Sequence, residues 1–570
     1  MSELSVRVRN YPSSFSKSVE FIKHLSRFSI GGKTVSHLVT PNSNYGFNHG
    51  GTGGIPLYFD TQDKRVYVDS SDKHSVVIGT TASKKSRLVA MPSVMLLGAA
   101  GESMIISDPK AEIYLRTATY LEKRGYNVQL LNLRMPQCGQ AWNPLYVPYV
   151  LYKNGEIDRS YEFANDIAVN LTNIDKSQKE AFWDNSAGSF FFGLILLLFK
   201  YCSEHDEPIE SVSINNIIEL RNVLCSGTLS EIRNNPLWTY AKTDSFIASA
   251  LIGTIETAND TRAGILSTFD QKMRAFSIQP SLVRMLSHND IDYTELTQRP
   301  SAIFLILPDE KTGYHGLASL FIKQSYEYLI FEAQKGINCG KEFGNRINYI
   351  LDEFSSLPTI SDFPAMITAA RSRNIRFNLF LQSRHQMKLR YGDECETILS
   401  NCENWVFLAS RELELLKEIS ELCGTTGNTG GKPLLSVTDL QRLDKQEGEV
   451  LILSGRNKPF ISKLADISLY EESSLPEQIN RPTKEYTQYL IDFSSYIKKN
   501  RSEPLTIGNI ELPKINYQRF PRSPIDLDEM IKKIDKQLEE LAEQEQQKPP
   551  IETYDDISNR SERGEKPNND

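Results

Sequence analysis

Between residues 75 and 91 the chain reads SVVIGTTASKKSRLVAM. A short β-branched run, 75–78, has the pattern of a buried strand. It leads through small residues to Lys85 and Ser86, and then into an apolar segment that suits a helix. This strand, loop and helix order is that of a phosphate-binding P-loop, whose pattern is Gly, four residues, Gly, Lys, then Ser or Thr. In such loops the backbone N–H groups and the helix N-terminus converge on phosphate oxygens. The candidate cradle is Gly79, Thr80, Thr81, Ala82, Ser83, Lys84, Lys85, Ser86 and Arg87. Lys85 has the position to neutralise the β and γ phosphates of ATP, and Ser86 to bind Mg2+. One residue departs from the pattern: Lys84 stands where the second glycine is expected.

A loop of this kind needs a parallel sheet, and the rest of the chain supplies the alternation that builds one. Residues 55–59 and 65–68 read as a hairpin ahead of the P-loop strand. Further strands are expected at 103–107, 126–133, 301–307, 347–351, 377–381, 405–409 and 450–453, with helices between most of them. Strands alternating with helices imply an α/β fold with a mostly parallel sheet, covered on both faces. In such sheets ligands lie beyond the carboxyl ends of the strands, where the P-loop and Asp108 both fall. From about 160 to 290 the pattern is helical, including one stretch from 245 to 276, and an all-helical domain inserted in the sheet domain is expected. The expected boundaries are an appended N-terminal region at 1–54, a discontinuous nucleotide-binding domain at 55–200 and 292–470, and the helical insertion at 201–291. Residues 471–570 form a polar extension. There Met530, Ile534, Leu538 and Leu541 fit one stripe of an amphipathic helix, and the residues from Glu543 onward read as a disordered tail.

A second chemical element follows from the sequence ILDE at 350–353. An apolar strand ending in two acids is the arrangement in which Asp352 orders the Mg2+ shell and Glu353 activates the attacking water. Gln382 ends the next strand, a place from which an amide can sense the γ-phosphate. Arg371 and Arg373, on the segment between these strands, have the position for an arginine finger reaching a neighbouring subunit's nucleotide.

The net charge of −8 leaves no global nucleic-acid footprint, so DNA contact would come from a local patch or the inner face of an assembly. The seven cysteines are scattered and lack metal-ligand spacing, which fits thiols in a reducing cytoplasm. The N-terminal residues carry charges every few positions and read as neither a signal peptide nor a membrane anchor. The longest apolar run, FFFGLILLLF at 190–199, is short for a membrane span and reads as a core helix.

Over residues 54 to 470 the chain resembles the type IV secretion coupling proteins, the TraG-type conjugative DNA-transfer ATPases. The resemblance is carried by collinear segments: YVDSSDKHSVVIG before the P-loop, SDPKAEIY at Ser107, WNPL at Trp142 and WDNSA at Trp183. It continues with LILPDEKT at Leu305, ILDEFSSLP at Ile350, ARSRNIRFNLFLQS at Ala370, NWVFLASRE at Asn404 and GEVLILSGR at Gly448. The resemblance implies a RecA-like sheet domain with an all-helical insertion and assembly into hexameric rings. It further implies coupling of ATP hydrolysis to the passage of single-stranded DNA with an attached relaxase. By position it assigns Lys85 and Ser86 to phosphate and Mg2+, Asp352 and Glu353 to the second acidic motif, Gln382 to a sensor and Arg371 to the finger. Four glycines of the family pattern are replaced, by Lys84, Ala111, Thr119 and Ser355. The first is expected to demand a left-handed backbone from a lysine and to crowd the phosphates. The N-terminal membrane helices usual in the family are not found, which implies a cytoplasmic or peripheral protein. Two readings follow: a coupling ATPase acting on DNA, or a catalytically impaired relative that serves as a DNA- or relaxase-binding adaptor or as a subunit of a mixed ring.

Overall fold

A computed structural model describes residues 26–29, 53–60, 65–172, 181–308, 312–335, 343–425, 431–455, 457–470 and 484–501. The chain divides into two units, Met1–Arg501 and Ser502–Asp570, and every described residue belongs to the first. The expected stripe of Met530, Ile534, Leu538 and Leu541, the tail, and most of the N-terminal region lie outside the described residues.

Nine strands form one sheet. They are β4 (Ser75–Gly79), β5 (Ser103–Asp108), β6 (Asn127–Asn132), β7 (Ser301–Ile306), β8 (Ile347–Leu351), β9 (Ile375–Leu381), β10 (Asn404–Ala409), β11 (Glu449–Ser454) and β12 (Phe460–Lys463). Their order is β12-β11-β10-β4-β9-β8-β5-β7-β6. All pairs from β10 to β6 are parallel, and β11 and β12 continue the β10 edge antiparallel. Every residue of β4, β5, β7, β8 and β9 is buried. Apart from the buried Asn348 of β8 and Arg376 and Asn378 of β9, these strands are mostly apolar rather than alternating, as a sheet covered on both faces requires. The expected hairpin is present as β2 (Pro56–Asp60) and β3 (Arg65–Val68), joined by β1 (Ser26–Ser29) in a separate antiparallel sheet. Strands β1 and β12 had no counterpart in the sequence reading: each is a four-residue segment rich in polar residues, SRFS and FISK, without the apolar run that marks β3.

Between β6 and β7 the described chain holds helices and no strand. The central helix, Ala181–Glu204, carries the run 190–199 and packs against Ile157–Thr172, Ser245–Ile255 and Asn259–Ser277. It is long and apolar enough to cross a membrane by length and composition. Here Phe190 to Phe199 is buried apart from Phe192, and the rings of Phe190 and Phe191 both meet Phe269 edge-on. A ring buried in this way is worth about 3–5 kcal/mol against alanine. The single helix expected over 245–276 is two, because Glu256 and Thr257 leave helical geometry and a new helix starts at Asn259 with Asp260 in its first turn. After Tyr470 the described chain resumes at Lys484 and crosses the helical region. The Tyr486 hydroxyl donates to Asp290, Asn216 bonds the backbone of Tyr489 and Ile491, and Phe493 packs on Tyr201. Residues 484–501 are thus a packed strap within a stretch that reads as a polar extension.

Candidate nucleotide site

Because β4, β9, β8 and β5 are consecutive parallel neighbours, their carboxyl ends open on one cleft. Into it they deliver the loop after Gly79, Gln382, the pair Asp352 and Glu353, and the turn starting at Asp108. The loop after β4 is fastened at its start: the Thr80 N–H donates to the Ala409 carbonyl at 3.2 Å, and the Ser83 N–H to the Thr80 carbonyl at 3.1 Å. A Cβ on Gly79 would meet Ser83 Oγ at 2.4 Å, so only glycine lets the turn close this tightly. Ser83 Oγ is buried and has no hydrogen-bond partner among the described residues. The helix after the loop opens with a π turn, Ser86–Ala90, in which the Met91 N–H reaches the Ser86 carbonyl. Pro92, next in line, has no N–H to close the ordinary α-helical bond.

Lys84 has a φ of 64°, as a glycine position requires, and Ala82 has a φ of 62°. Two side-chain-bearing residues of the loop therefore hold left-handed conformations; the sequence reading identified the first and missed the second. The Lys84 ammonium does not crowd the cradle. Its Nζ turns outward to Gln446 Oε1 at 3.3 Å. Of the other replaced glycines, Ala111 also takes a positive φ, 60°, whereas Thr119 lies inside the helix Glu112–Lys123 and Ser355 in a 3-10 turn. Those last two positions do not need glycine's freedom.

Lys85 is 7% exposed and makes no ion pair or side-chain hydrogen bond among the described residues. Burial depresses its pKa, and the nearby charges of Asp352 and Glu353 oppose the shift. A buried lysine and a buried hydroxyl two residues before it, both unpaired among the described residues, fit a site built for an anion. Ser86 Oγ donates to Asp352 Oδ2 at 3.2 Å, so the two hard oxygen donors expected to hold Mg2+ are adjacent. Burial raises the Asp352 pKa, with Lys85 opposing and Glu353 reinforcing the shift. Asp352 is fixed by the bond from the Glu353 N–H to its Oδ1 at 3.0 Å, and its carbonyl accepts from Ser107 Oγ at the same distance.

Glu353 has a φ of 52°. Its Oε1 accepts from Gln382 Nε2 at 2.8 Å and lies 3.3 Å from Lys110 Nζ. Gln382 in turn accepts from Thr81 Oγ1 at 3.3 Å, tying the P-loop to the acids through one amide. Ala82, Lys84, Ala111 and Glu353, all left-handed, border one cleft, and strain of this kind concentrates where geometry serves a site. Asp108 is fully buried and accepts from the Tyr114 N–H at 2.7 Å; burial and the neighbouring Asp352 push its pKa up to about 7 against that bond.

Three candidate residues are elsewhere. Arg87 is committed to Asp466 in a two-pronged pair at 2.9 and 2.5 Å. Burial works to raise the Asp466 pKa, but the guanidinium and Ser468 bring it down to about 2. Arg371 does not sit inside the helix that precedes it: it opens a 3-10 turn after Phe363–Ala370. It bonds Asp72 at 3.1 and 3.2 Å and Glu403 at 2.6 Å, just ahead of β4 and β10 and thus at the amino ends of the strands, opposite the P-loop. Within one chain it cannot touch the cleft. Arg373 shares that turn.

The sequence profile of the type IV secretory system conjugative DNA transfer family matches residues 20–430. No curated protein matches the sequence. Among solved structures the plasmid coupling protein TrwB in complex with the ATP analogue ADPNP superposes with a TM-score of 0.53 at 14% identity, over 82% of this chain and 97% of that one. TrwB in complex with ADP and Mg2+ gives 0.51 at 14% identity over 81% and 96%, and an unbound form of the bacterial conjugative coupling protein gives 0.52 at 15% over 77% and 92%. At these identities the superpositions speak to the fold, a RecA-like α/β sheet with an all-helical insertion, and the profile, spanning most of the chain, speaks to descent. The chain belongs to the type IV secretory system conjugative DNA transfer family.

Proposed function

We propose that this protein is a coupling-type P-loop ATPase of conjugative DNA transfer. It binds ATP with Mg2+ and acts on DNA, single-stranded at the point of transfer, or on a DNA–relaxase complex. It works as a homo-oligomeric ring, a hexamer by family resemblance, in the cytoplasm or peripherally at the inner face of the membrane. The observation that carries this reading is Lys85, a buried lysine with no ion pair or side-chain hydrogen bond among the described residues, set where Ser86, Asp352, Glu353 and Gln382 converge. Bound Mg–ATP supplies the phosphoryl group and the cation that neutralises it. Lys85 would offset phosphate charge, Ser86 and Asp352 would hold the metal, and Glu353, held by Gln382, would take the proton of the attacking water. Arg371 would serve a neighbouring subunit, after leaving Asp72 and Glu403.

The side chains at Ala82 and Lys84, where glycine is favoured, support a second reading: a relative that keeps the fold and the DNA or relaxase contacts but has lost turnover. Purified protein separates the two. The ATPase reading expects Mg2+-dependent hydrolysis that Lys85→Ala and Glu353→Gln each abolish; hydrolysis indifferent to both substitutions refutes it. The adaptor reading expects no hydrolysis and single-stranded DNA binding that needs no nucleotide and weakens with salt.

A further inference from the structure

The segment SDPKAE enters the reading above only as a family segment, yet its lysine lies inside the site. Lys110 Nζ is 3.3 Å from Glu353 Oε1, the same oxygen that accepts from Gln382 at 2.8 Å. Both donors converge on Oε1, and no hydrogen bond or ion pair reaches Oε2 among the described residues. One carboxylate oxygen is thereby anchored and the other left without a partner among the described residues.

The turn that brings Lys110 there is held from three sides. Asp108 is buried and accepts from the Tyr114 N–H, which locks the start of the following helix to the end of β5. Arg134 donates to the Pro109 carbonyl at 2.6 Å and to the Leu307 carbonyl at 3.1 Å, bracing the turn against the end of β7. Ala111 holds a φ of 60°, a conformation that a non-glycine residue keeps only when its surroundings impose it. The lysine itself is 47% exposed, so this bracing serves its position rather than its burial.

We propose that Lys110 is a positioning residue for the nucleotide site, acting through Glu353: with Gln382 it fixes the carboxylate and offsets its negative charge, so that an anionic phosphate tail is accepted beside it. The inference rests on the reading of the cleft as a nucleotide site. Without Lys110 the Glu353 carboxylate would face the phosphates unneutralised, and at this partly exposed position the repulsion would weaken binding by about three- to tenfold. Lys110 would then matter only while residue 353 is charged.

A double-substitution cycle on the full chain tests this, with calorimetric titration of the non-hydrolysable analogue ADPNP in the presence of Mg2+ and with no dependence on turnover. Lys110→Ala should weaken binding by about three- to tenfold, Lys110→Arg should stay within about twofold of the unsubstituted protein, and Lys110→Ala in the Glu353→Gln background should have an effect under about twofold. Equal weakening in both backgrounds would mean that Lys110 acts on the nucleotide directly, and no weakening in either would mean that it does not act on the site; each overturns the proposal. Failure of the unsubstituted protein to bind ADPNP overturns the nucleotide-site reading itself, and the inference with it. Lys110→Arg keeps the charge and most of the volume, so weak binding by both single variants at unchanged thermal unfolding also counts against the proposal.

Discussion

Replacing Lys84 by glycine tests whether the departure from the P-loop pattern disables the loop. A non-glycine residue in the left-handed region carries about 1–2 kcal/mol of strain. If the loop took up that geometry only on binding nucleotide, removing the strain would tighten ATP binding by about 5- to 30-fold. In the structure Lys84 has a φ of 64°, and its carbonyl accepts the Leu88 N–H at 2.8 Å, so the left-handed turn is held by the helix that follows it. The strain is therefore carried by the folded chain and belongs to stability rather than affinity. Glycine also returns about 0.5–1 kcal/mol of entropy to the unfolded chain. The exposed bond from Lys84 to Gln446 contributes little. The net gain in stability is about 0.5 kcal/mol. Loss of one outward-turned, screened ammonium should weaken nucleotide binding by about twofold. Titration of ADPNP with Mg2+ should accordingly place Lys84→Gly within about threefold of the unsubstituted protein, and Lys84→Ala, which keeps the Cβ, close to it. Tightening of tenfold or more with glycine alone would show that the Cβ obstructs the phosphates. The same tightening with alanine would put the obstruction on the lysine chain. Either result refutes the preformed loop.

Two further outcomes follow from the geometry. Ser86→Ala should raise the Mg2+ concentration needed for half-maximal ADPNP binding by about tenfold, read by Mg2+ titration, because it removes one of the two adjacent oxygen donors; an unchanged requirement would take Ser86 out of the metal site. His74 is buried at the start of β4, where Nδ1 accepts the Phe377 N–H at 3.0 Å and Nε2 faces the Ile367 carbonyl at 2.7 Å, and burial, reinforced by Arg371 and Arg376 against that carbonyl, holds its pKa at about 4. The folded pKa lies below the unfolded value of 6.5, so the stability from neutral His74 is present above 6.5 and is lost as pH falls toward 4. Between pH 7 and 5 this amounts to about 2 kcal/mol, and His74→Gln, which cannot titrate, should flatten the pH dependence of the urea midpoint over that range; an equally steep dependence would assign the acid sensitivity to other groups.

Much of the site was legible because its parts are local. The P-loop is a contiguous strand, turn and helix, and Asp352 and Glu353 stand together at a strand end, so residue type and spacing identify each without knowledge of their distance in space. The left-handed turn at Lys84 was legible for the same reason: backbone conformation is a property of one residue and its neighbours. Ala82 escaped because an alanine in a turn carries no signal of positive φ. Lys110 escaped as a site residue because its relation to Glu353 spans more than two hundred positions, and nothing in SDPK states which acid its ammonium will meet.

The sequence by itself determined most of the strands of the central sheet, which residues could hold phosphate and metal, and which family the pattern resembles, since these follow from periodicity, side-chain chemistry and collinear motifs. Only the tertiary structure decided the strand order that sets β4, β9, β8 and β5 side by side, and with it which side chains share the cleft. It sent Arg87 to Asp466 and Arg371 to the amino ends of the strands, and it turned Lys84 outward to Gln446. These outcomes depend on contacts between residues far apart in the chain, where packing and charge pairing choose among partners that a linear reading leaves equivalent.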